Sequence, residues 1–225
     1  REQDIAAAER ARDMESRIFL GPIYGRGYPP RLERDFPDWP MPVEDGDMEQ
    51  IAQKPDFIGL NSYWEDPIRH DESAWDNYSV APDYHDRTEM GWPVVPDGLY
   101  RLLKWTDAEC GHAPIYVTEN GAAMDDRLSD DGRRCHDRGR VEIVRGFLGA
   151  VARALADGVD VRGYFLWSFI DNFEWAHGFT KRFGIVYCDY DDDLRRVPKD
   201  SFYFYRDAIA GYEALPADGA PPRLP

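Results

Sequence analysis

Short β-rich runs alternate along this chain with helices whose apolar residues recur every three or four positions, and no other feature restricts the fold as strongly. The strand candidates lie at 56–62 (Asp-Phe-Ile-Gly-Leu-Asn-Ser), 114–119 and 162–169, with a weaker one at 184–189. Between and around them run four apolar stripes. The first is Ile5, Ala8, Ala11, Met14 and Ile18; the second is Leu99, Leu102, Leu103 and Thr106, entered through Pro96-Asp97. The third is Val141, Val144, Leu148, Val151 and Leu155, stopped by Asp157-Gly158. The fourth is Phe202, Tyr205 and Ile209, with Asp200 or Ser201 as its cap and Gly211 as its stop. Strands that run the same way need a long crossover, which a helix fills, so the alternation predicts an α/β fold with parallel strands.

Loop lengths add a direction. The helix-to-strand links at 110–114 and 157–162 are short, whereas the segments after strands, 64–96, 121–136 and 170–183, are long. Long loops gathered at the carboxyl ends of parallel strands make the active-site face of an α/β barrel. The stretch 19–55, with Gly21-Pro22, Tyr28-Pro29-Pro30 and Trp39-Pro40, reads as an ordered surface excursion, and Pro216–Pro225 as a frayed tail. A closed eight-unit barrel takes about 250 residues even without large loops. Only three strand–helix units are legible in these 225 residues, or four with the leading helix, so the expected architecture is half of a barrel.

Charge narrows the partners. Lys plus Arg is 27 against 43 Asp plus Glu, a formal charge of −16, which repels phosphate backbones and anionic lipid and argues against nucleic-acid or membrane partners. No run approaches the ~20 apolar residues of a membrane span, and no basic-then-apolar leader opens the chain. Because the first residue is Arg1 rather than Met, more chain is expected upstream. Cys110, Cys135 and Cys188 are odd in number and lack Cys-x-x-Cys spacing, the pattern of idle thiols in a reducing, cytoplasmic setting. The five histidines show no i, i+4 pair, so neither a metal nor another cofactor is expected.

Two segments carry chemistry. Ile115 to Gly121 reads Ile-Tyr-Val-Thr-Glu-Asn-Gly and delivers one carboxylate, Glu119, at the last residue of a strand that then turns. That position suits catalysis at the carboxyl edge of a parallel sheet; the plainer alternative is a turn cap or an arginine partner. Tyr164 to Trp175 sets Asp171, Asn172 and Glu174 beside Trp167 and Trp175. Carboxylates next to indole faces suit a sugar, whose hydroxyls donate to the acid while its C–H face packs on the ring. The plainer alternative is an aromatic core with a capping acid, and of Trp167 and Phe169 one is expected to be core.

Thr118-Glu119-Asn120-Gly121 together with Trp167-Ser168-Phe169-Ile170-Asp171-Asn172-Phe173-Glu174-Trp175 resembles the C-terminal half of the family 1 glycoside hydrolases, retaining β-glucosidases and their relatives on a TIM (β/α)8 barrel. Asp56 to Tyr63, Gly91-Trp92, Pro96 to Tyr100, Arg182 to Val186 and Pro198 to Tyr203 also match, in family order, across nearly the whole chain. The resemblance implies that residues 1–225 form the C-terminal part of one barrel, helix 5 through helix 8 with strands 6–8. It implies that Glu119 is the nucleophile, held by Tyr63 with Asn61 close by, and that Trp167 is the platform under the sugar. Glu174 and Trp175 would grip the outer hydroxyls, Phe183 would line the same pocket, and Trp92 would face the aglycone. A carboxylate at Glu174 would repel a phosphate, so neutral β-glucosides or oligosaccharides are the expected substrates.

The departure from the family is as informative. Its acid/base glutamate sits in an Asn-Glu-Pro motif, and this sequence has no Asn-Glu pair. Retaining hydrolysis needs two carboxyls ≈ 5–5.5 Å apart. Glu174 and Asp171 leave one strand end, and the family uses Glu174 for binding, so the second carboxyl is expected from an N-terminal half, in the same or a separate chain. Without that half the chain is expected to be inactive. Two other readings stand beside hydrolysis: a non-catalytic sugar-binding half-barrel, and a transglycosylase.

Overall fold

Three of the β-runs pair in parallel in the computed structural model, which describes residues 1–38 and 40–211. In chain order the elements are α1 (Glu2–Arg12), a π-helical turn (Asp13–Arg17), α2 (Ile18–Ile23), α3 (Arg31–Asp35), α4 (Asp47–Ile51), β1 (Ile58–Asn61), β2 (Ile68–His70) and β3 (Tyr78–Val80). Then come α5 (Pro96–Glu109), β4 (Ile115–Asn120), α6 (Arg138–Ala156), β5 (Val161–Leu166), a 3-10 turn (Trp175–His177), β6 (Val186–Asp189), β7 (Arg195–Pro198) and α7 (Asp200–Ala210). They fall into two compact units: residues 1–56 with 66–84, and 57–65 with the described residues from 85 onward. The tail expected at Pro216–Pro225 lies outside the described residues, as does Trp39.

In the first unit α1 lies along the antiparallel hairpin β2–β3, which occupies part of the segment read as a loop. The His70 backbone N–H donates to Asp4 Oδ1 at 3.0 Å, and Arg10 Nη2 donates to the Asn77 carbonyl at 2.8 Å. The apolar stripe expected from Ile5 to Ile18 forms only in part, with Ala11 buried and Ala8, Met14 and Ile18 half-buried. Ile5 is 68% exposed, and the buried positions of α1 are Ala7 and Ala11. Ala7 and Ala11, small residues spaced i, i+4, present one flat face, and a π-helical turn at Asp13–Arg17 follows them. The Pro- and Gly-rich excursion is ordered by the short helices α3 and α4, with Leu32 buried.

The second unit is built on the parallel sheet, in the order β1-β4-β5. Ile58 pairs with Ile115, Leu60 with Val117 and, after a bulge, Asn61 with Glu119. β5 lies on the other side of β4, with Val117 opposite Tyr164. Helices α5 and α6 cover one face. Leu99 and Leu103 of α5 and Phe147, Ala150, Val151 and Ala154 of α6 pack on Ile115, Val117 and Val161 in one core. Pro96 opens α5 at a position where its missing N–H costs nothing. α6 ends at Ala156, beside the expected Asp157-Gly158 stop, and Gly158 takes the left-handed φ of 86° that favours glycine.

Two details differ from the sequence reading. The weak strand candidate becomes β6, which pairs antiparallel with β7 instead of joining the parallel sheet. Neither Asp200 nor Ser201 caps α7; the cap position is Lys199, and the Ser201 N–H donates to Asp137 Oδ1, 64 residues upstream, at 2.9 Å. A carboxylate contributed by the start of α6 therefore caps α7.

The described residues leave the other face of the sheet open. Alternation along the strands puts Phe57, Tyr116 and Phe165 there; Phe57 meets the Tyr116 ring edge-on at 5.2 Å, yet Phe57 is 53% and Phe165 56% exposed. Parallel sheets are normally covered on both faces. An open apolar face flanked by unpaired strand edges should make the isolated 225-residue chain self-associate, so size-exclusion chromatography is expected to give species larger than a monomer. Among the described residues no helix is long and apolar enough to cross a membrane.

Cys110, Cys135 and Cys188 are buried, and no disulfide joins them among the described residues. Burial pushes the Cys135 thiol up to about 12, with the Asp126 carboxylate adding to the shift. A thiol-reactive dye at pH 8 is expected to leave Cys135 unmodified in the folded chain and to label it once denaturant is added.

Candidate active site

Asn61 and Glu119 leave neighbouring strands at the same level, because the register of β1 and β4 ends on that pair. Thr118 Oγ1 donates to Asn61 Oδ1 at 2.8 Å, and the Ser62 N–H donates to the Glu119 carbonyl at 2.9 Å, so backbone and side chains tie the two strand ends together. The chain turns after β1 and places Tyr63 over Glu119, donating its hydroxyl to Oε2 at 2.7 Å. Burial, this hydrogen bond and the charges of Glu119 and Glu174 all push the Tyr63 phenol well above its ordinary value, so it remains a donor throughout the neutral range.

Asn120 is fully buried beside this pair. Its Nδ2 donates to the Ser62 carbonyl at 2.6 Å, and its Oδ1 accepts from Tyr164 Oη at 2.5 Å. The Trp167 N–H donates to the Asn120 carbonyl at 2.8 Å. At Gly121 the backbone runs so close to the Trp167 carbonyl oxygen that any Cβ would collide with it. A glycine here is what lets the loop after β4 pass the end of β5.

An aromatic wall completes the arrangement. Tyr63, Trp92 and Phe183 meet with centroids 5.2 to 5.9 Å apart, and Trp64 stacks on Trp92 at 4.5 Å and 24°. Of the sequence-derived residues, the structure brings Glu119, Asn61, Tyr63, Trp92 and Phe183 together. Phe183 backs the wall and is only 3% exposed. Trp167 stands at the end of β5 by its backbone link to Asn120, whereas Trp175 sits on the 3-10 turn, 83% exposed, with a left-handed φ of 39°. The loops carrying these residues are stitched to one another. The Glu89 N–H donates to the Ala123 carbonyl at 3.0 Å, Met124 N–H to the Arg182 carbonyl at 3.1 Å, and Lys181 bonds the Glu89 carbonyl at 2.5 Å.

Asp171 is sequestered from this cleft. It is buried, and its two oxygens accept from the Gly184 N–H at 3.0 Å, the Cys188 N–H at 3.3 Å, Lys199 Nζ at 2.8 Å and Arg182 Nη1 at 2.6 Å. A carboxyl with four donors on it has no free oxygen for proton transfer, so Asp171 is a structural acid. At Gly184 a Cβ would strike the Asp171 backbone, so this contact too requires glycine. Trp64, Asn120 and Tyr164 did not emerge as site residues from the sequence, and the buried ions Asp126 and Lys199, which lie outside the cleft, were not singled out either. Lys199 was visible only as part of the Pro198–Tyr203 match.

Residues 1–213 match the family model described as glycosyl hydrolase family 1. The chain belongs to that family. It is 43% identical over 211 residues, 93% of its length, to a 1,4-β-D-glucan glucohydrolase of Thermotoga neapolitana, of which it covers 47%. The family 1 β-glucosidase structure of Thermotoga maritima superposes with a TM-score of 0.87 at 38% identity, covering 98% of this chain and 48% of that one. The β-glucosidase of the same organism in complex with deoxynojirimycin gives 0.86 at 39% identity, with 93% and 47% covered. The chain thus spans about half the length of the family members it matches, and its fold is part of a (β/α)8 barrel, with β1, β4 and β5 as the strands expected to be the sixth to eighth.

Lys199 Nζ sits between Asp126 and Asp171 at 2.6 and 2.8 Å, with all three buried. Lys199→Met would leave two buried carboxylates without that cation. The expected loss of stability is about 3–5 kcal/mol, measured as a lower urea midpoint at unchanged slope.

Proposed function

We propose that this chain supplies the nucleophile and the sugar pocket of a retaining β-glucosidase that hydrolyses terminal, non-reducing β-D-glucosyl residues. The observation that carries this reading is the Tyr63–Glu119 hydrogen bond at 2.7 Å, beside an aromatic wall at the carboxyl edge of the sheet. Glu119 attacks the anomeric carbon, the C–O bond to the leaving group breaks, and a glycosyl ester forms on the carboxylate. Tyr63 holds one oxygen of Glu119 and leaves the other free to attack; a hydrogen bond aimed in advance needs no reorganisation as charge moves. Asn61 fixes the strand end through Thr118. Trp167 supports the sugar ring, Glu174 and Trp175 take its outer hydroxyls, Phe183 backs the pocket, and Trp92 faces the leaving group. The carboxylate of Glu174 disfavours phosphorylated sugars and favours neutral ones.

Protonation of the leaving oxygen and activation of water need a second carboxyl ≈ 5–5.5 Å from the first. Asp171 cannot serve, since its oxygens are occupied. In this reading the acid/base comes from the N-terminal half of the barrel, and its absence favours a second reading of the 225 residues alone, a sugar-binding half-barrel that does not turn over. Calorimetry with glucose and an aryl-glucoside assay on the isolated chain separate the two: binding without turnover is expected there, and turnover only once the barrel is complete.

In the completed barrel a 2-deoxy-2-fluoro glucoside is expected to leave its adduct on the peptide holding Glu119, and Glu119→Ala to abolish turnover. An adduct elsewhere, or an active alanine variant, would refute the assignment. Tyr63→Phe removes one hydrogen bond to a charged group and is expected to cost about 1.5–3 kcal/mol in kcat/KM, roughly 10- to 100-fold, at little cost to the melting temperature.

A further inference from the structure

Arg140, in the first turn of α6, is fully buried and has no place in the proposed chemistry. Its guanidinium nevertheless uses all five of its N–H donors. Nε donates to the Ala122 carbonyl at 3.1 Å; Nη1 donates to Asp126 Oδ1 at 3.0 Å and to Asp137 Oδ2; Nη2 donates to Asp126 Oδ2 at 2.6 Å and to the Arg182 carbonyl at 2.8 Å. The carboxylates account for the charge. The two carbonyls are a different matter, because they belong to the two loops that bear the site. Ala122 lies three residues beyond Glu119, and Arg182 precedes Phe183 in the loop that also carries Glu174.

We propose that Arg140 is a positioning residue: its planar fork sets the loop after Glu119 against the loop of Glu174 and Phe183, and so fixes the spacing of nucleophile and sugar pocket. Its link to catalysis rests on the function proposed above; its link between the loops does not. The surrounding charges hold the fork in place. Arg140, Lys199 and Arg182 face Asp126, Asp137 and Asp171, three cations and three carboxylates joined by ion pairs. A lysine at position 140 would retain the charge, but its three donors radiate from a single nitrogen and cannot reach both carbonyls and both acids.

The Met124 N–H donates to the same Arg182 carbonyl, so its exchange with solvent reports on this junction. In the 225-residue chain, Arg140→Lys is expected to speed Met124 exchange at least tenfold. Lys199→Met, which disturbs the same cluster without touching either carbonyl, is expected to leave it protected. In the completed barrel, Arg140→Lys is expected to slow trapping by the 2-deoxy-2-fluoro glucoside by about 10²-fold, the cost of misplacing groups by about an ångström, while Lys199→Met traps at the normal rate below its melting temperature. Unchanged Met124 exchange in Arg140→Lys, or equal loosening in both variants, overturns the proposal. Faster exchange with unaltered trapping overturns the positioning role. If Arg140→Lys does not fold, Asp126→Asn replaces it, since that change keeps both carbonyl contacts: a protected Met124 supports the proposal and a loosened one overturns it. Failure of the unsubstituted barrel to trap any sugar on Glu119 would refute the reading of Glu119, and Met124 exchange alone would then decide whether Arg140 joins the loops.

Discussion

The parallel register of β1 and β4 is the constraint on which the rest of the site depends. It sets Asn61 level with Glu119, and the bulge just before that pair lets the two chain ends turn toward each other. A shift of one residue would send Glu119 to the helix-covered face, where Ile115 and Val117 pack on Leu103 and Phe147. Packing on one face of the sheet therefore selects the direction of the carboxylate on the other. The Tyr63 hydrogen bond, the buried amide of Asn120 and the passage of Gly121 beside Trp167 all presuppose that register.

A second layer lies behind the first. Buried charges are costly unless they are paired and hydrogen-bonded, and this cluster meets both conditions, with as many cations as carboxylates. Its members come from the loop after β4, the first turn of α6, the loop after β5 and the start of α7. Removing one member strands a charge and lowers the stability of the whole fold, while the direct link between the two site loops is the Arg140 fork. This explains how long loops, ordinarily the mobile part of an α/β protein, can carry a site that must be placed to within about an ångström.

Much of this was legible in the residues. The strands at 58–61, 115–120 and 161–166 coincide within a residue or so at most ends with the runs rich in β-formers, and α5 and α6 follow the apolar spacing and stop at the short link 110–114 and at Asp157-Gly158. Glu119, Tyr63, Asn61, Trp92 and Phe183 were each singled out, and they meet. Other features left no local trace. The hairpin β2–β3 lay hidden in a long polar segment, and the turn of β6 away from the parallel sheet depends on β7, which follows an acidic loop. The first helix buries Ala7 and Ala11 instead of Ile5 because small residues face a close neighbour there. Arg140 sits on the line of buried positions that continues through Val144, Phe147 and Val151, and a charge on that line is visible as an oddity only once the line is known.

By itself the sequence determined the order and type of the main elements, the family, and the delivery of a carboxylate at the end of a strand, because each of these follows from periodicity and short motifs. The family resemblance singled out Glu119, but periodicity and spacing alone did not separate it from Asp171. Both acids follow β-rich runs and both stand among aromatics. Only the tertiary structure decided how each is held, by bringing Gly184, Cys188, Arg182 and Lys199 onto Asp171 and the Tyr63 hydroxyl onto Glu119. The physical reason is that an acid's availability depends on how many donors reach it, and donors from distant parts of the chain are counted only after folding.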